Sequence, residues 1–414
     1  MRDDVAGVGG SARAPAGTTH RQRILILQEH AGLGGVETSL ANLLAFLDLR
    51  DCDVDIVFQW DEGPLMGRIP PRFRIVDVHE GLAGRVYRSS GFRQSLRLPG
   101  IRAKATRGFW AGMRKALELL PNPYLLLNRI DEHYDIAIAY RHGGFAPFYL
   151  VDRVDADRKY MWFHHGVYVP GKKGEQTERR YFDSLDGVIA VSDSCRASYL
   201  AHFPAQRDKV RVIHSIIDGD EILRLSRQQW DQPASTSVTL VSVTRLSSEK
   251  GLDLTLATAA RLRDLGIDYV WYVIGEGPAR ASLEEGIRDL GLEANLILLG
   301  ERTNPYPGMA AADIFVHVSQ VEAYGLVVAE AMVLQKPIVA ADIPAVRELL
   351  ADGALGILAE PDCDAFATAI SELAGNCKRR SEFGQRLAEH GLDNSRAFTG
   401  LSDLLAGAGD SIDP

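Results

Sequence analysis

The sequence has few cysteines and no long apolar run. Four cysteines are scattered through its 414 residues, and none belongs to a C-x-x-C pair. This distribution argues against a disulfide framework and a cysteine-based zinc site, and it favours a reducing compartment. No run of eighteen apolar residues is present, so a membrane-spanning helix is not expected. Residues 1–20 lack the apolar core of a signal peptide and are predicted to form a disordered tail.

Charged residues are unevenly distributed along the chain. There are 46 basic and 55 acidic residues, and the resulting net charge of −9 argues against nucleic acid as the main partner. Residues 82–117, in contrast, contain nine basic side chains and no acidic one, with aromatic and aliphatic residues between them. Such a segment suits an anionic membrane surface or a phosphorylated acceptor, with a solvated insertion as the alternative interpretation. We expect a cytoplasmic protein, and peripheral binding to the inner face of a membrane stays open.

The order of apolar runs predicts the fold class. A chain of this length is too long for one hydrophobic core, so two domains are expected. Short apolar runs such as "RILILQ", "VDIVF" and "GVIAV", and later "VTLVSV", "YVWYVIG" and "DIFVHV", alternate with helical stretches. Continuous apolar strands are typical of parallel sheets that are covered on both faces. We therefore predict an α/β protein with two tandem doubly wound, Rossmann-like domains that face a cleft.

The domain boundaries follow from the two series of strands. Residues 21–216 are predicted as the first domain and residues 217–394 as the second. The polar stretch from Asp218 to Ser237 is interpreted as the interdomain linker. Residues 395–414 are predicted as a C-terminal helix that packs back on the first domain. Ligands of doubly wound domains bind at the carboxyl ends of the strands, so the cleft is the expected ligand site.

Two glutamates, Glu322 and Glu330, flank a Tyr-Gly step in the stretch "SQVEAYGLVVAEAM". Gly325 is a poor helix-interior residue, so we expect a loop up to Gly325 and a helix that starts near Leu326. The first turn of such a helix offers unpaired N–H groups and the positive end of its dipole to an anion. Two carboxylates around an anion site indicate a ligand that carries both phosphates and hydroxyls.

A second candidate site is the segment "SVTRLSSEKGLD" at the end of a predicted buried strand. Arg245 and Lys250 lie there five residues apart, where a doubly wound sheet presents its loops to ligand. Arginine binds phosphate oxygens through its planar fork, and lysine adds a compact positive charge. A solvated loop with a Glu249–Lys250 pair at a helix start is the alternative interpretation.

Glycines follow several predicted strands. The segment "GLGG" contains Gly34 and Gly35, but Glu37 stands where a dinucleotide fingerprint requires its last glycine, so NAD binding is disfavoured. A glycine pair still lets the backbone approach a ligand in the cleft. The turns "GEGP", which begins at Gly275, and "GERTN", which contains Arg302, follow successive strands and are predicted to form a rim around one pocket.

Histidines and aspartates are the remaining candidates. His164 and His165 follow a predicted strand of the first domain, where a histidine either completes a loop or donates a hydrogen bond to a substrate. No carboxylate stands at an offset that suits a metal site with them. The aspartates of "DCDVD" (51–55) are interpreted as a solvated strand face, and those of "DGD" (218–220) as the start of the linker. No metal site is predicted.

Together, these motifs resemble the retaining glycosyltransferases of family four, which have the GT-B fold. The resemblance runs from about Arg23 to the C-terminal helix and is densest between Val238 and Leu350, where "RLSSEKGLD", "VIGEGP" and "VEAYGLVVAEAM" follow the family pattern. It implies a second domain that binds a UDP-sugar or a GDP-sugar. It also implies a first domain that holds a glycan, lipid-linked or small-molecule acceptor, and a reaction that needs neither metal nor cofactor.

The resemblance also implies roles for individual residues. Arg245 and Lys250 correspond to the pair that neutralises the donor diphosphate. Glu330 corresponds to the carboxylate that binds the ribose hydroxyls, and Glu322 to the one that binds the transferred sugar. The distal phosphate and the sugar are expected to meet the backbone amides of four consecutive residues, namely Tyr324, Gly325, Leu326 and Val327.

From the first domain, Gly34 and Gly35 resemble the loop that approaches the phosphates, and His164 resembles the histidine near the sugar, with His165 as its rival. The sequence departs from the family pattern at Thr244 and Gln335, where glycine is frequent, and at Ser215, where asparagine is common. None of these positions carries a charged ligand contact. A GT-B sugar-nucleotide 2-epimerase and a non-catalytic nucleotide-sugar-binding protein are the alternative functions.

Overall fold

The computed structural model describes residues 21–32, 34–80, 120, 122–171, 174–232 and 236–407. The predicted tail at residues 1–20 and the basic segment 82–117 lie outside these residues. The expectations that rest on them therefore stay predictions. In the part of the chain that is described, no helix combines the length and the apolar character that crossing a membrane requires.

The first domain is built on a seven-stranded parallel sheet with the order β3-β2-β1-β4-β5-β6-β7. Its strands are β1 (Gln22–His30), β2 (Cys52–Trp60), β3 (Arg74–Ile75), β4 (His133–Ala139), β5 (Asp155–Phe163), β6 (Gly187–Ala190) and β7 (Val210–Val212). Four described α-helices connect them: α1 (Gly35–Asp48), α2 (Phe145–Arg153), α3 (Glu175–Asp183) and α4 (Asp193–His202).

The second domain is built on a six-stranded parallel sheet with the order β10-β9-β8-β11-β12-β13. Its strands are β8 (Val238–Val243), β9 (Tyr269–Ile274), β10 (Leu296–Gly300), β11 (Ile314–His317), β12 (Ile338–Ala341) and β13 (Ile357–Ala359). Its helices are α5 (Gly219–Ser226), α6 (Leu252–Asp264), α7 (Arg280–Asp289), α8 (Tyr306–Ala311), α9 (Leu326–Val333), α10 (Pro344–Leu349), α11 (Cys363–Ala374) and α12 (Cys377–His390). A further helix, α13 (Ser395–Ala406), follows.

The two sheets confirm the predicted architecture of two doubly wound Rossmann-like domains. The central strands are buried along most of their length, as continuous apolar runs require when helices cover both faces of a sheet. In each sheet the strand order reverses beside the first strand, between β1 and β4 and between β8 and β11. Loops at such a reversal diverge to opposite faces and leave a crevice, which is where doubly wound domains bind ligands.

The polar stretch after Asp218 is not merely a linker. Its first part forms helix α5, which begins where the Asp218 side chain accepts a hydrogen bond from the Glu221 amide at 3.0 Å. Ile222 is buried in a small cluster with Ile217 and Ala329, so the helix packs on the second domain. The interpretation of this stretch as a linker was therefore wrong for its first part, because a single apolar position is enough to dock a short capped helix.

Helix α13 packs on the first domain. Ala397, Leu401 and Leu404 are buried within the core of that domain. The Gln22 side chain donates a hydrogen bond to the Leu405 carbonyl at 2.7 Å, and Arg158 donates to the Leu404 carbonyl at 2.9 Å. The described chain thus passes through the second domain and ends with a helix that packs on the first domain.

Gln335 has a left-handed backbone conformation, with φ of 54°. It follows helix α9, at the position where the family pattern favours glycine. Left-handed backbone is sterically unfavourable for a residue with a Cβ atom, so this position carries a strain of about 1 kcal/mol. The departure from the family pattern is therefore a local energetic cost and not a rearrangement of the fold.

Replacing Leu404 by alanine should destabilise the first domain by about 2–4 kcal/mol, because it leaves a cavity beneath α13. We expect a lower Tm in thermal unfolding followed by circular dichroism. Ser402→Ala, at an exposed position of the same helix, is the matched control. Equal Tm values for the two variants would contradict the docking of α13.

Candidate active site

The two domains meet at the carboxyl edges of their sheets. Gly35, the first residue of α1, lies next to Leu326, the first residue of α9: a Cβ atom at Gly35 would lie 3.5 Å from Leu326 Cδ1. A Cβ atom at Gly166 would lie only 2.3 Å from the carbonyl oxygen of Glu322, so the contact excludes larger residues at this position. The N-termini of α1 and α9 therefore face the same cleft.

Lys250, Glu322 and His317 form a compact charged cluster at the switch point of the second sheet. Lys250 Nζ donates a hydrogen bond to Glu322 Oε1 at 2.7 Å, and His317 Nε2 lies 3.3 Å from the same oxygen. Burial opposes ionisation of Glu322, but His317 and Lys250 outweigh it and lower the pKa of this carboxyl to about 2. Glu322 is consequently an anion that holds the lysine in the cleft.

His317 was missed by the sequence interpretation. It ends β11 and its side chain is 3% exposed. The signal is a polar residue at the end of the otherwise apolar run "IFVH", five residues before Glu322. Because a buried polar side chain needs a partner, such a position indicates a contact with a charged neighbour. A small cavity beneath this cluster is lined by further polar side chains, namely those of Ser242, Thr244, Thr255 and Ser319.

Glu330 occupies a different environment from Glu322. It lies in the second turn of α9, is almost fully buried, and accepts a hydrogen bond from the Tyr306 hydroxyl at 3.1 Å. Burial raises the pKa of its carboxyl to about 7, although Tyr306 and the charge of Arg68 oppose the rise. Arg68 belongs to the first domain, so a cation from across the cleft acts on this glutamate. The sequence interpretation did not single out Arg68.

The loop before α9 has the predicted form. Gly325 has a left-handed backbone with φ of 89°, and the helix begins at Leu326 as expected. The amides of the first turn, including that of Val327, have no acceptor within the helix and are directed toward its N-terminal end. Tyr324 packs against the core of the first domain. Tyr324 to Val327 are thus brought to the cleft edge.

The two candidate histidines differ in their surroundings. His164 lies beside Tyr140, with ring centroids 4.8 Å apart, and burial lowers its pKa to about 3. Burial, Arg141 and Arg245 lower the pKa of His165 to about 4. The charge of Arg245, which belongs to the second domain, thus acts on His165. His165 is also the one that precedes Gly166, whose backbone lies against the Glu322 carbonyl of the second domain.

A partly exposed ion pair accompanies the histidines. Arg141 Nη1 lies 3.0 Å from Glu29 Oε2, at the carboxyl ends of the adjacent strands β4 and β1. Arg141 also acts on the pKa of His164 and His165. The sequence interpretation assigned no role to this pair, although Glu29 lies at the end of β1 and Arg141 follows β4, the two strands that flank the switch point.

Arg245 and Arg302, both predicted to bind the donor, occupy different places. Arg245 is exposed in the loop after β8, on the way to Lys250. Arg302 follows β10, the edge strand of the sheet, and its Nη1 lies 2.9 Å from Asp231 Oδ2. Arg302 is therefore held two strands away from β8, and it is not brought together with the Lys250 cluster.

Gly275 lies after β9, where the chain passes close to the loop that leads to Lys250. Its φ is 149°, and a Cβ atom at this position would lie 1.8 Å from the Thr244 carbonyl oxygen. The structure thus gives Gly275 a packing role, in that it lets two neighbouring loops of the rim approach each other. Gly34 precedes α1 in an extended conformation, and Glu37 turns back toward it.

The aspartate-rich segments make structural contacts. Asp55 is not on a solvated face as interpreted from the sequence: it is buried and accepts hydrogen bonds from Arg74 and, at 2.7 Å, from the Tyr134 hydroxyl. Asp51 and Asp53 are exposed and pair with Arg21. Among the described residues, three potential metal ligands converge at the start of α11, in the side chains of Asp362, Cys363 and Asp364, where Asp362 already caps the helix.

Two family models cover most of the chain. The model described as Glycosyltransferase Family 4 matches residues 33–221, and the one described as Glycosyl transferases group 1 matches residues 226–390. The chain belongs to the family-four glycosyltransferases. The two matched regions correspond to the two Rossmann-like domains, and the boundary between them falls at helix α5.

Curated relatives of the chain have names that indicate different substrates. It is 31% identical over 173 residues to alpha-D-kanosaminyltransferase of Streptomyces kanamyceticus, a match that covers 41% of this chain and 43% of the relative. It is 28% identical over 230 residues to the lipopolysaccharide core biosynthesis glycosyltransferase LpsE of Rhizobium meliloti, with 55% and 64% covered. The chain thus spans about half the length of the curated relatives it matches.

Solved structures confirm the GT-B fold of the chain. A mutant of S. aureus TarM, in complex with Fondaparinux, alpha-GlcNAc-glycerol and UDP, superposes with a TM-score of 0.67 at 15% identity, over 93% of this chain and 99% of that one. Anabaena HepE in complex with UDP superposes with a TM-score of 0.65 at 18% identity, over 93% and 100%.

The raised pKa of Glu330 predicts a pH-dependent stability. Between its ordinary pKa of 4.5 and the folded value of about 7, the folded state binds more protons than the unfolded state, so stability falls as the pH rises through this window. Without ligand at about pH 8, Glu330→Gln should therefore be more stable than the wild type by about 1–3 kcal/mol. At about pH 5 the difference should be much smaller.

Thermal unfolding at the two pH values measures this effect. Glu285→Gln, at an exposed position of α7, is the control and should show no such change. The same Tm difference between Glu330→Gln and wild type at both pH values would show that Glu330 does not titrate in this range.

Proposed function

We propose that this protein is a retaining hexosyltransferase that moves a sugar from a nucleoside-diphosphate-sugar to a hydroxyl of a glycan, lipid-linked or small-molecule acceptor. The observation that carries the proposal is the arrangement at the start of α9. A lysine–glutamate–histidine cluster and a second, buried glutamate lie on either side of a helix N-terminus that faces the other domain. This arrangement offers cationic and amide groups to a diphosphate and carboxylates to hydroxyls at both of its ends.

Each charged group then has a part in donor binding. The diphosphate lies at the N-terminus of α9, between Lys250 and Arg245. Glu330 accepts hydrogen bonds from the ribose hydroxyls. These hydrogen bonds offset the energetic cost of burying its carboxylate. Glu322, held by His317, accepts from the hydroxyls of the transferred sugar while Lys250 is directed to the phosphate.

The reaction breaks the bond between the anomeric carbon and the distal phosphate oxygen. The acceptor hydroxyl attacks from the face that the phosphate leaves, and its proton passes to the departing phosphate oxygen, so that the anomeric configuration is retained. Catalysis consists mainly of stabilising the negative charge that develops on the leaving group. Lys250, Arg245 and the dipole of α9 supply this stabilisation, and the mechanism assigns no part to a metal ion.

The first domain supplies the acceptor side of the cleft. His165 and Arg141 follow adjacent strands of its sheet and lie across from the loop that contains Glu322. We assign His165, rather than His164, the position beside the sugar, because it immediately precedes Gly166, which lies against the backbone carbonyl of Glu322 in the other domain. The TarM and HepE complexes, which contain UDP, favour uracil as the base, with guanine as the alternative.

Thermal stabilisation by nucleotides tests this proposal. At a hundredfold excess over its dissociation constant, UDP should stabilise the wild type by about 2.7 kcal/mol, and GDP, ADP and NAD much less. Lys250→Ala should weaken the effect because it removes a phosphate contact. Lys378→Ala, at an exposed position of α12, is the matched control. Stabilisation by NAD alone, or by no nucleotide, would contradict a nucleotide-sugar site.

We further propose that the basic segment 82–117 brings the enzyme to an anionic membrane surface that carries its acceptor. The composition of the segment supports this proposal. In vesicle flotation, the protein should rise with vesicles that contain anionic lipid and not with neutral vesicles, and replacement of Arg93, Arg97 and Arg102 by glutamine should reduce the bound fraction. Equal binding to both kinds of vesicle would contradict an electrostatic attachment.

A further inference from the structure

Glu348 in helix α10 connects the two domains through both of its carboxylate oxygens. Oε1 lies 3.0 Å from His214 Nε2, in the segment that follows β7 of the first domain. Oε2 accepts a hydrogen bond at 3.2 Å from the backbone amide of Asp193, the first residue of α4. A carboxylate at the N-terminus of a helix is favoured by the helix dipole and by the unpaired amides of the first turn.

The same junction holds the loop that leads into α9. Ser192, which caps α4, donates a hydrogen bond from its hydroxyl to the carbonyl of Ala323 at 2.5 Å. The ring of His214 lies 5.6 Å from the ring of Tyr324. We call Ser192, Asp193, His214 and Glu348 the interdomain clasp. These residues hold the two positions immediately before Gly325.

We propose that Glu348 is a positioning residue for the reaction, and that the interdomain clasp sets the angle between the domains at which the loop 322–325 meets the first domain. The inference rests on the proposed function for its consequence in catalysis. Glu348 itself contacts the first domain and not the expected donor. Its effect on the donor passes through the backbone at Ala323 and the side chain of Tyr324.

The clasp is built to act on domain geometry and not on the stability of either domain. The side chains of Glu348 and His214 are 28% and 26% exposed, so neither belongs to a hydrophobic core. Helix α10 is held on its own domain by the buried residues Ala345 and Val346. Removal of the Glu348 carboxylate therefore leaves both domains folded and removes two contacts between them.

The experiment compares Glu348→Ala, Glu348→Gln, His214→Ala and the double variant Glu348→Ala/His214→Ala. Glu285→Ala, at an exposed position of α7 in the same domain, is the control. The radius of gyration is measured by small-angle X-ray scattering with and without UDP. The dissociation constant of UDP is measured by isothermal titration calorimetry.

We expect Glu348→Ala to increase the radius of gyration and to weaken UDP binding about 3- to 10-fold, in the range of coupling between contacting residues. Glu348→Gln should lose less UDP affinity than Glu348→Ala, because its side-chain amide oxygen can still accept the hydrogen bond from the Asp193 backbone amide. The double variant should bind UDP nearly as well as Glu348→Ala, since both substitutions remove the same contact. A role in folding alone would not produce this non-additivity.

The results separate this inference from the proposed function. If Glu348→Ala matches Glu285→Ala in both measurements, or if the effects of the two single substitutions multiply in full, the inference is overturned. If the wild type binds neither UDP nor GDP nor ADP, the proposed function fails. The radius of gyration then still decides whether the clasp holds the domains together.

Discussion

The contact between Lys250 and Glu322 is the interaction on which the rest of the site depends. Lys250 follows β8 and Glu322 follows β11, and these strands are neighbours at the switch point of the second sheet. A half-buried lysine without a carboxylate would be costly, and a buried glutamate without cations would be protonated. Their contact, completed by His317, therefore fixes two loops relative to each other and keeps both charges in the cleft.

The position of Glu322 also determines how the domains meet. Its backbone carbonyl lies against Gly166, at the end of the strand–loop segment that carries the two candidate histidines. One residue further, Ala323 accepts the hydrogen bond from Ser192. The loop to which we assign donor-binding groups is thus also in contact with the first domain. We therefore expect a change in the interdomain angle to alter the proposed site directly, without a separate element to transmit it.

Much of this organisation could be predicted from the sequence. The continuous apolar strands predicted two parallel sheets, and Gly325 predicted the start of α9 at Leu326, because both patterns reflect local backbone and burial requirements. The pairing of Lys250 with Glu322 could not be derived from their separation of 72 residues. It arises because β8 and β11 are adjacent, an order that the apolar pattern does not reveal.

The errors have physical causes of the same kind. Asp55 looked solvated because it alternates with apolar residues, yet Arg74 and Tyr134 from other strands satisfy its charge in the interior. The segment after Asp218 looked like a linker because it is polar, yet one buried isoleucine docks it as a helix. The interactions of Arg68 and Glu348 were not predictable, since both act across a domain interface to which no local pattern points.

A crystal structure of the protein with bound UDP would test the central claim most directly. We expect the diphosphate at the N-terminus of α9, within hydrogen-bonding distance of Lys250 Nζ, and the ribose hydroxyls on the carboxylate of Glu330. UDP bound elsewhere, or bound in the cleft with its ribose away from Glu330 and its phosphates away from Lys250, would contradict it.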